Sequence, residues 1–193
     1  MKKTILVDLD GICANFFMPW LEQYNELFLP KGKDPVKIED ITDLDILKTK
    51  NVNGNIYKII DGKTTPNFFR SLKPLDGAID AIKKIKKEGH NVVICSAPSR
   101  DPYSWSDKVF WVKEHLGISS GKKIILTGNK KLVFGDVLID DSPKNTAAWL
   151  EAHPNGIVAQ INWPWNYNSK AQIKAEGWQD TQLAWDIILE NIL

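Results

Sequence analysis

Thr4-Ile5-Leu6-Val7-Asp8-Leu9-Asp10-Gly11 is the stretch whose reading decides the fold. An apolar, β-branched run of this length reads as a short buried strand, and it ends in two carboxylates before a glycine turn. Side chains alternate along a strand, so Asp8 and Asp10 project to the same side of the local backbone. Ligands of open α/β sheets bind outside the carboxyl ends of the strands. Working outward, the question is whether later segments bring partners to that edge.

Apolar runs recur after residue 75. Asn91-Val92-Val93-Ile94-Cys95 leads into Ser96, and Lys123–Thr127 is followed by Lys130 and Lys131. Val137-Leu138-Ile139 ends in Asp140-Asp141, and Gly156–Ile161 reads as a fifth strand. Helical periodicity separates them. Ala78, Ile79, Ile82 and Ile85 mark a helix over 76–88. Trp105, Val109, Val112 and Leu116 predict the inner face of one at about 104–116. Ser142-Pro143 reads as an N-cap with proline in the first turn, and Thr181–Leu193 as a terminal helix. Alternation of this kind predicts an α/β fold, a three-layer Rossmann-like parallel sheet covered on both faces.

Residues 15–75 interrupt the alternation. Phe16, Phe17, Trp20, Leu21, Tyr24, Leu27 and Phe28 recur at helical spacing. A stretch rich in Lys, Asp and Asn follows, with turn signals at Lys31-Gly32, Asp34-Pro35, Asn53-Gly54 and Asp61-Gly62. Short helical pieces are expected at about 36–48 and 54–61. The expected organisation is a core of residues 1–14 and 76–193, with 15–75 as a small, mainly helical cap inserted after the first strand.

Composition narrows the function classes. The 193 residues suffice for one domain with an insertion. A net charge of +1 argues against a general nucleic-acid or membrane surface. Lys83, Lys84, Lys86 and Lys87 flank core isoleucines and read as a solvated helix face. No apolar run reaches the ~18 residues of a membrane span, and the N-terminus does not read as a signal peptide. Cys13 and Cys95, the only cysteines, suit a reducing compartment, so a cytoplasmic location is expected.

Asp8 with Asp10, Ser96, Lys130 or Lys131, and Asp140 with Asp141 all fall at strand ends, hence at one edge of a parallel sheet. Carboxylates ~4 Å apart repel by about 4 kcal/mol per pair at an effective dielectric of 20. A hard divalent cation offsets this, and Mg²⁺ suits a few carboxylates plus a phosphate. The Ser96 hydroxyl, a lysine and helix N-termini would hold phosphate oxygens. The set points to phosphoryl transfer.

Asp8-Leu9-Asp10-Gly11-Ile12 resembles the first signature of haloacid dehalogenase superfamily phosphatases; Cys95-Ser96 resembles the second, and Gly135–Asp141 the acidic fourth. The closer resemblance is to the 5′(3′)-deoxyribonucleotidases. It rests on Asp8-Leu9-Asp10-Gly11 with Ala14 and Phe16, on Asn67-Phe68-Phe69 followed by Leu72–Ala78, and on Ile139-Asp140-Asp141. It implies Asp8 as the nucleophile that takes up the phosphoryl group, and Asp10 as general acid and then base. It implies Mg²⁺ held by Asp8, the backbone carbonyl of Asp10, and Asp141. Ser96 and Lys130 would bind phosphate, with Lys131 and Lys108 as alternative lysines, and Phe16 would line the base pocket. The implied partner is a small nucleotide, with no nucleic acid or membrane, and the resemblance leaves room for a homodimer. The expected function is therefore Mg-dependent dephosphorylation of (deoxy)ribonucleoside monophosphates. The competing readings are a phosphatase of another small phosphoester, such as a sugar phosphate, and a non-enzymatic phospho-acceptor module.

Overall fold

A computed structural model describes residues 1–62 and 65–193; residues 63 and 64, inside the expected cap, lie outside the described residues. Among the described residues, six parallel strands run β1 (Thr4–Val7), β2 (Asn91–Ser96), β3 (Ile124–Leu126), β4 (Val137–Ile139), β5 (Ile157–Ile161) and β6 (Ile173–Ala175). Their order in the sheet is β3-β2-β1-β4-β5-β6, so β1 is central. It pairs with β2 through Leu6–Val93 and with β4 through Leu6–Leu138.

Among the described residues, seven α-helices cover the sheet or extend from it: α1 (Phe17–Leu27), α2 (Tyr57–Ile60), α3 (Phe68–Ser71), α4 (Ala78–Lys87), α5 (Tyr103–Leu116), α6 (Pro143–Ala152) and α7 (Thr181–Ile192). Strand alternation sorts the core into two layers. Ile5, Val7, Ile94, Ile139 and Ile161 face α4, α7 and the aromatic residues of α1. Leu6, Val93, Cys95, Leu138 and Val158 face the α6 side, where Trp149 is completely buried. This is the three-layer α/β architecture expected from the alternation. Among the described residues, no helix is long and apolar enough to cross a membrane.

Residues 15–75 leave the sheet edge and return beside their point of departure. Asn15 N donates to Lys73 O, Leu75 N to Cys13 O, and Ala14 forms an antiparallel bridge with Pro74. Inside the excursion the expected helical pieces are shorter than the pattern suggested. They are single 3₁₀ turns at Ile38–Asp40, Ile46–Lys48 and Gly54–Ile56, the last running into the one-turn α2. Local hydrogen bonding competes with helix in such Asp- and Asn-rich sequence. One instance is Asn53, whose side chain accepts from Asn55 N.

Two further expectations need correction. The edge strand β6 was not anticipated; three residues with an exposed Lys174 carry too little pattern to be seen. In α5 the inner face is not Trp105–Val109–Val112–Leu116. Trp105 and Val109 are 48% and 40% exposed, while Ser104, Asp107, Lys108, Trp111, Val112 and Leu116 are buried. Polar residues turn inward here because α5 packs against α3 of the inserted segment and against the sheet edge that carries Ser96.

Candidate active site

The turn after β1 is built for close approach. Gly11 has φ +70°, and a Cβ there would lie 2.9 Å from the Phe17 ring and 3.0 Å from Asp141 Oδ2. Only glycine fits both the conformation and the space. The turn is held by Cys13 N and Ala14 N donating to Leu9 O, each at 2.8 Å, and it leaves Asp8 and Asp10 at the sheet edge. Asp140 and Asp141 arrive there from β4. The next helix is capped as expected, with Ser142 Oγ accepting from Asn145 N and Pro143 in the first turn.

Two buried lysines reach three of the four aspartates, Asp8, Asp10 and Asp140. Lys130 Nζ lies 2.9 Å from Asp8 Oδ2 and 2.5 Å from Asp140 Oδ2, with its side chain wholly shielded from solvent. It sits in a single 3₁₀ turn, Lys130–Leu132, just past β3. The second is Lys108 of α5, whose Nζ donates to Asp10 Oδ2 at 2.5 Å and to Ser96 Oγ at 3.1 Å. The Phe69 ring of α3 covers that ammonium at 4.6 Å, a cation–π contact from the inserted segment. Lys131 is exposed, with its backbone carbonyl bonded to His153, and stands outside the cluster. Of the three candidate lysines, Lys130 and Lys108 therefore reach the aspartates, at different ends of the site.

Electrostatics distinguishes the carboxylates. Burial lifts Asp10 above the ordinary carboxylate value, against the opposing charge of Lys108. Burial raises Asp140 to about 6, with Lys130 pulling it down and Asp8 pushing it up. Asp141 is driven well above its usual value by burial first, then by the charges of Asp140 and Asp8. Asp8, Asp140 and Asp141 each place an oxygen within 4.8 Å of the others. The Lys130 ammonium and the Ser142 amide engage Asp140, Lys130 and the Leu9 amide engage Asp8, and the Trp165 indole donates to Asp141. Hard oxygen donors with excess negative charge fit a divalent metal ion. Asp140 joins Asp8 and Asp141 in this carboxylate cluster by proximity.

Phe16 lies in the aromatic core of the inserted segment. It is 7% exposed, stacks on Phe69 at 5.8 Å, and meets Phe17, Trp20 and Phe68 edge-on or tilted. A separate cavity of ≈ 510 Å³ opens between that segment and the loop after β2, lined by Leu47, Tyr57, Ile60, Asp61, Pro98, Ser99 and Arg100. Ser99 is three residues beyond Ser96. Trp163 and Trp165, just past β5, are buried beside this edge. Trp165 Nε1 donates to Asp141 Oδ2 at 3.1 Å while the ring is buried. The signal was two tryptophans and an asparagine directly after a strand whose end faces the same edge. Cys13 and Cys95 are free and buried, and burial raises both thiols above the usual value.

Known proteins resemble this chain over most of its length. A 5′(3′)-deoxyribonucleotidase from Bacillus subtilis is 27% identical over 183 residues, covering 94% of this chain and 98% of its own. The mitochondrial 5′(3′)-deoxyribonucleotidase of Mus musculus is 30% identical, covering 97% of this chain and 85% of its own. A haloacid dehalogenase family hydrolase from Deinococcus radiodurans, crystallised with phosphate and sodium, shares the fold. Its TM-score is 0.62 at 14% identity over 97% of both chains. Residues 2–190 match the family model of 5′ nucleotidase, deoxy (pyrimidine), cytosolic type C protein, and the chain belongs to that family.

Proposed function

We propose that the protein is a Mg²⁺-dependent phosphomonoesterase of nucleoside 5′- or 3′-monophosphates that works through an aspartyl-phosphate on Asp8. One observation carries the reading. Asp8, Asp10 and Asp141 share a sheet edge with Ser96 and two buried lysines, an anion-binding set beside a nucleophile and a separate proton carrier. Asp8, the backbone carbonyl of Asp10, and Asp141 would hold Mg²⁺, which neutralises phosphate charge when bound. The cavity between residues 15–75, acting as a cap, and the Ser99 loop offers aromatic and aliphatic walls with one acidic and one basic side chain, Asp61 and Arg100, a lining suited to a nucleoside. The relatives' names supply the deoxyribonucleotide preference. Phe16 takes part as a buried wall of the cap that fixes Phe69 over Lys108.

In the first step an Asp8 carboxylate oxygen attacks phosphorus, the ester P–O bond breaks, and the leaving oxygen takes a proton from Asp10. The raised affinity of Asp10 for a proton suits it to that role. In the second step the Asp10 carboxylate removes a proton from water as the water oxygen bonds to phosphorus. The Asp8–phosphorus bond then breaks and inorganic phosphate leaves. Lys130 balances the charge on Asp8, and Ser96 with Lys108 receives the phosphate oxygens. Two free, buried cysteines support a cytoplasmic setting within the same reading. A homodimer belongs to it too, to be measured by light scattering.

The test is phosphate release from a panel of deoxyribo- and ribonucleoside monophosphates and sugar phosphates with Mg²⁺. Turnover of the nucleotides above the sugar phosphates is expected. Faster turnover of a sugar phosphate would move the reading to another phosphoester.

A further inference from the structure

The loop after β5 reaches the site through contacts that simple packing does not call for. Trp165 Nε1 donates to Asp141 Oδ2 at 3.1 Å, and Asn166 Nδ2 donates to Asp141 O at 2.9 Å. Among the described residues, that indole is the only side chain that hydrogen-bonds the Asp141 carboxylate. Trp163 Nε1 donates to Gly11 O at 2.8 Å, in the turn that carries Asp8 and Asp10. One loop thus grips both halves of the acidic cluster.

The loop is also tied together internally. Asn166 Oδ1 accepts from Trp163 N at 2.8 Å, and Asn166 is completely buried. Trp163 stacks on Trp165 at 5.0 Å and 10°, while the Phe17 ring lies 4.1 Å from Trp165. Trp178 extends the stack from Trp163 at 5.9 Å and 19° without reaching Asp141. A tryptophan serving only as core needs an acceptor for its N–H, and a backbone carbonyl suffices, as Leu72 O does for Trp111. Trp165 instead spends its donor on a buried carboxylate surrounded by like charges. Ligating carboxylates are oriented by such hydrogen bonds from behind, and losing one weakens metal binding.

We propose that Trp165, backed by Asn166, is a positioning residue that holds Asp141 in place for a divalent cation, and that Trp163 fixes the Asp8–Gly11 turn to the same loop. The proposal rests on the cation reading of the acidic cluster. Trp165→Phe keeps the ring stack and removes only the donor. Trp178→Phe perturbs the same stack away from Asp141.

Calorimetric titration of metal-free protein with Mg²⁺ separates the cases. Wild type is expected to bind, Trp178→Phe to bind within about twofold of it, and Trp165→Phe about 10–100-fold more weakly. Wild-type-like affinity in Trp165→Phe overturns the proposal while the cation reading stands. So does equal weakening by Trp178→Phe, which would make the stack ordinary packing. A wild type that binds no Mg²⁺ overturns the cation reading and this proposal together. Should Trp165→Phe fail to fold, indole N–H resonances of wild-type protein give the answer. Saturating Mg²⁺ should move the Trp165 signal and leave Trp111 in place; an unmoved Trp165 signal overturns the proposal.

Discussion

Replacing Lys130 by methionine removes the one cation between two buried carboxylates. The ammonium lies 2.5 Å from Asp140 and 2.9 Å from Asp8, and the side chains of Lys130, Asp140 and Asp8 are 0%, 0% and 9% exposed. Methionine fills most of the lysine's volume, so the loss is chiefly electrostatic. Removing one partner of a buried pair costs about 3–5 kcal/mol, which for a chain of this size lowers Tm by about 6–20 °C. The pH decides how much of that is seen. Asp140 has a folded value of about 6, above its ordinary 3.8. A raised folded value favours the fold below the unfolded value, and that contribution is lost as pH rises through the folded one. Without Lys130 the Asp140 value rises further, so a proton replaces the ammonium at low pH and not at high pH. Scanning calorimetry in metal-free buffer should therefore show a small deficit near about pH 5 and the full deficit near about pH 8. Lys130→Met/Asp140→Asn should recover part of the loss at the higher pH, because one unpaired charge is gone. A deficit independent of pH, or none at all, would refute the reasoning.

Three further outcomes follow from the same geometry. Lys108→Met should lower kcat/KM by about 10²-fold or more, since it strips both Asp10 and Ser96 of their shared ammonium; steady-state kinetics near the wild-type value would remove Lys108 from the site. Gly11→Ala meets a left-handed φ of +70° and two close neighbours, so chemical denaturation should report a loss of about 1–3 kcal/mol. Glu114→Gln breaks an ion pair with Arg70 whose side chains are 42% and 44% exposed; unfolding free energy should change by less than about 1 kcal/mol.

The first strand, its two aspartates and the strand-end partners were legible because each sits at the border between an apolar run and a turn, where pattern and chemistry coincide. The inward face of α5 was not. Lys108, Asp107 and Ser104 look like a solvent face by periodicity, and only the packing of α3 against α5 turns them inward. Trp105 and Val109 look like core and stay exposed for the same reason. β6 is too short to carry alternation, and its place follows from pairing Ala159 with Ile173 at the sheet edge. The 3₁₀ turns of 38–56 follow local side-chain hydrogen bonds that hydrophobic periodicity does not register. The link from Trp165 to Asp141 joins residues 24 apart and exists only in the folded chain.

The central claim is that Asp8 becomes covalently phosphorylated during turnover. Rapid acid quench of wild-type protein with a deoxyribonucleoside monophosphate and Mg²⁺, followed by borohydride reduction and peptide mass spectrometry, tests it directly. The account predicts conversion of Asp8 to homoserine, within the turnover time, in wild type, and neither label nor phosphate release in Asp8→Asn. Phosphate release by Asp8→Asn at a rate near that of wild type would contradict it.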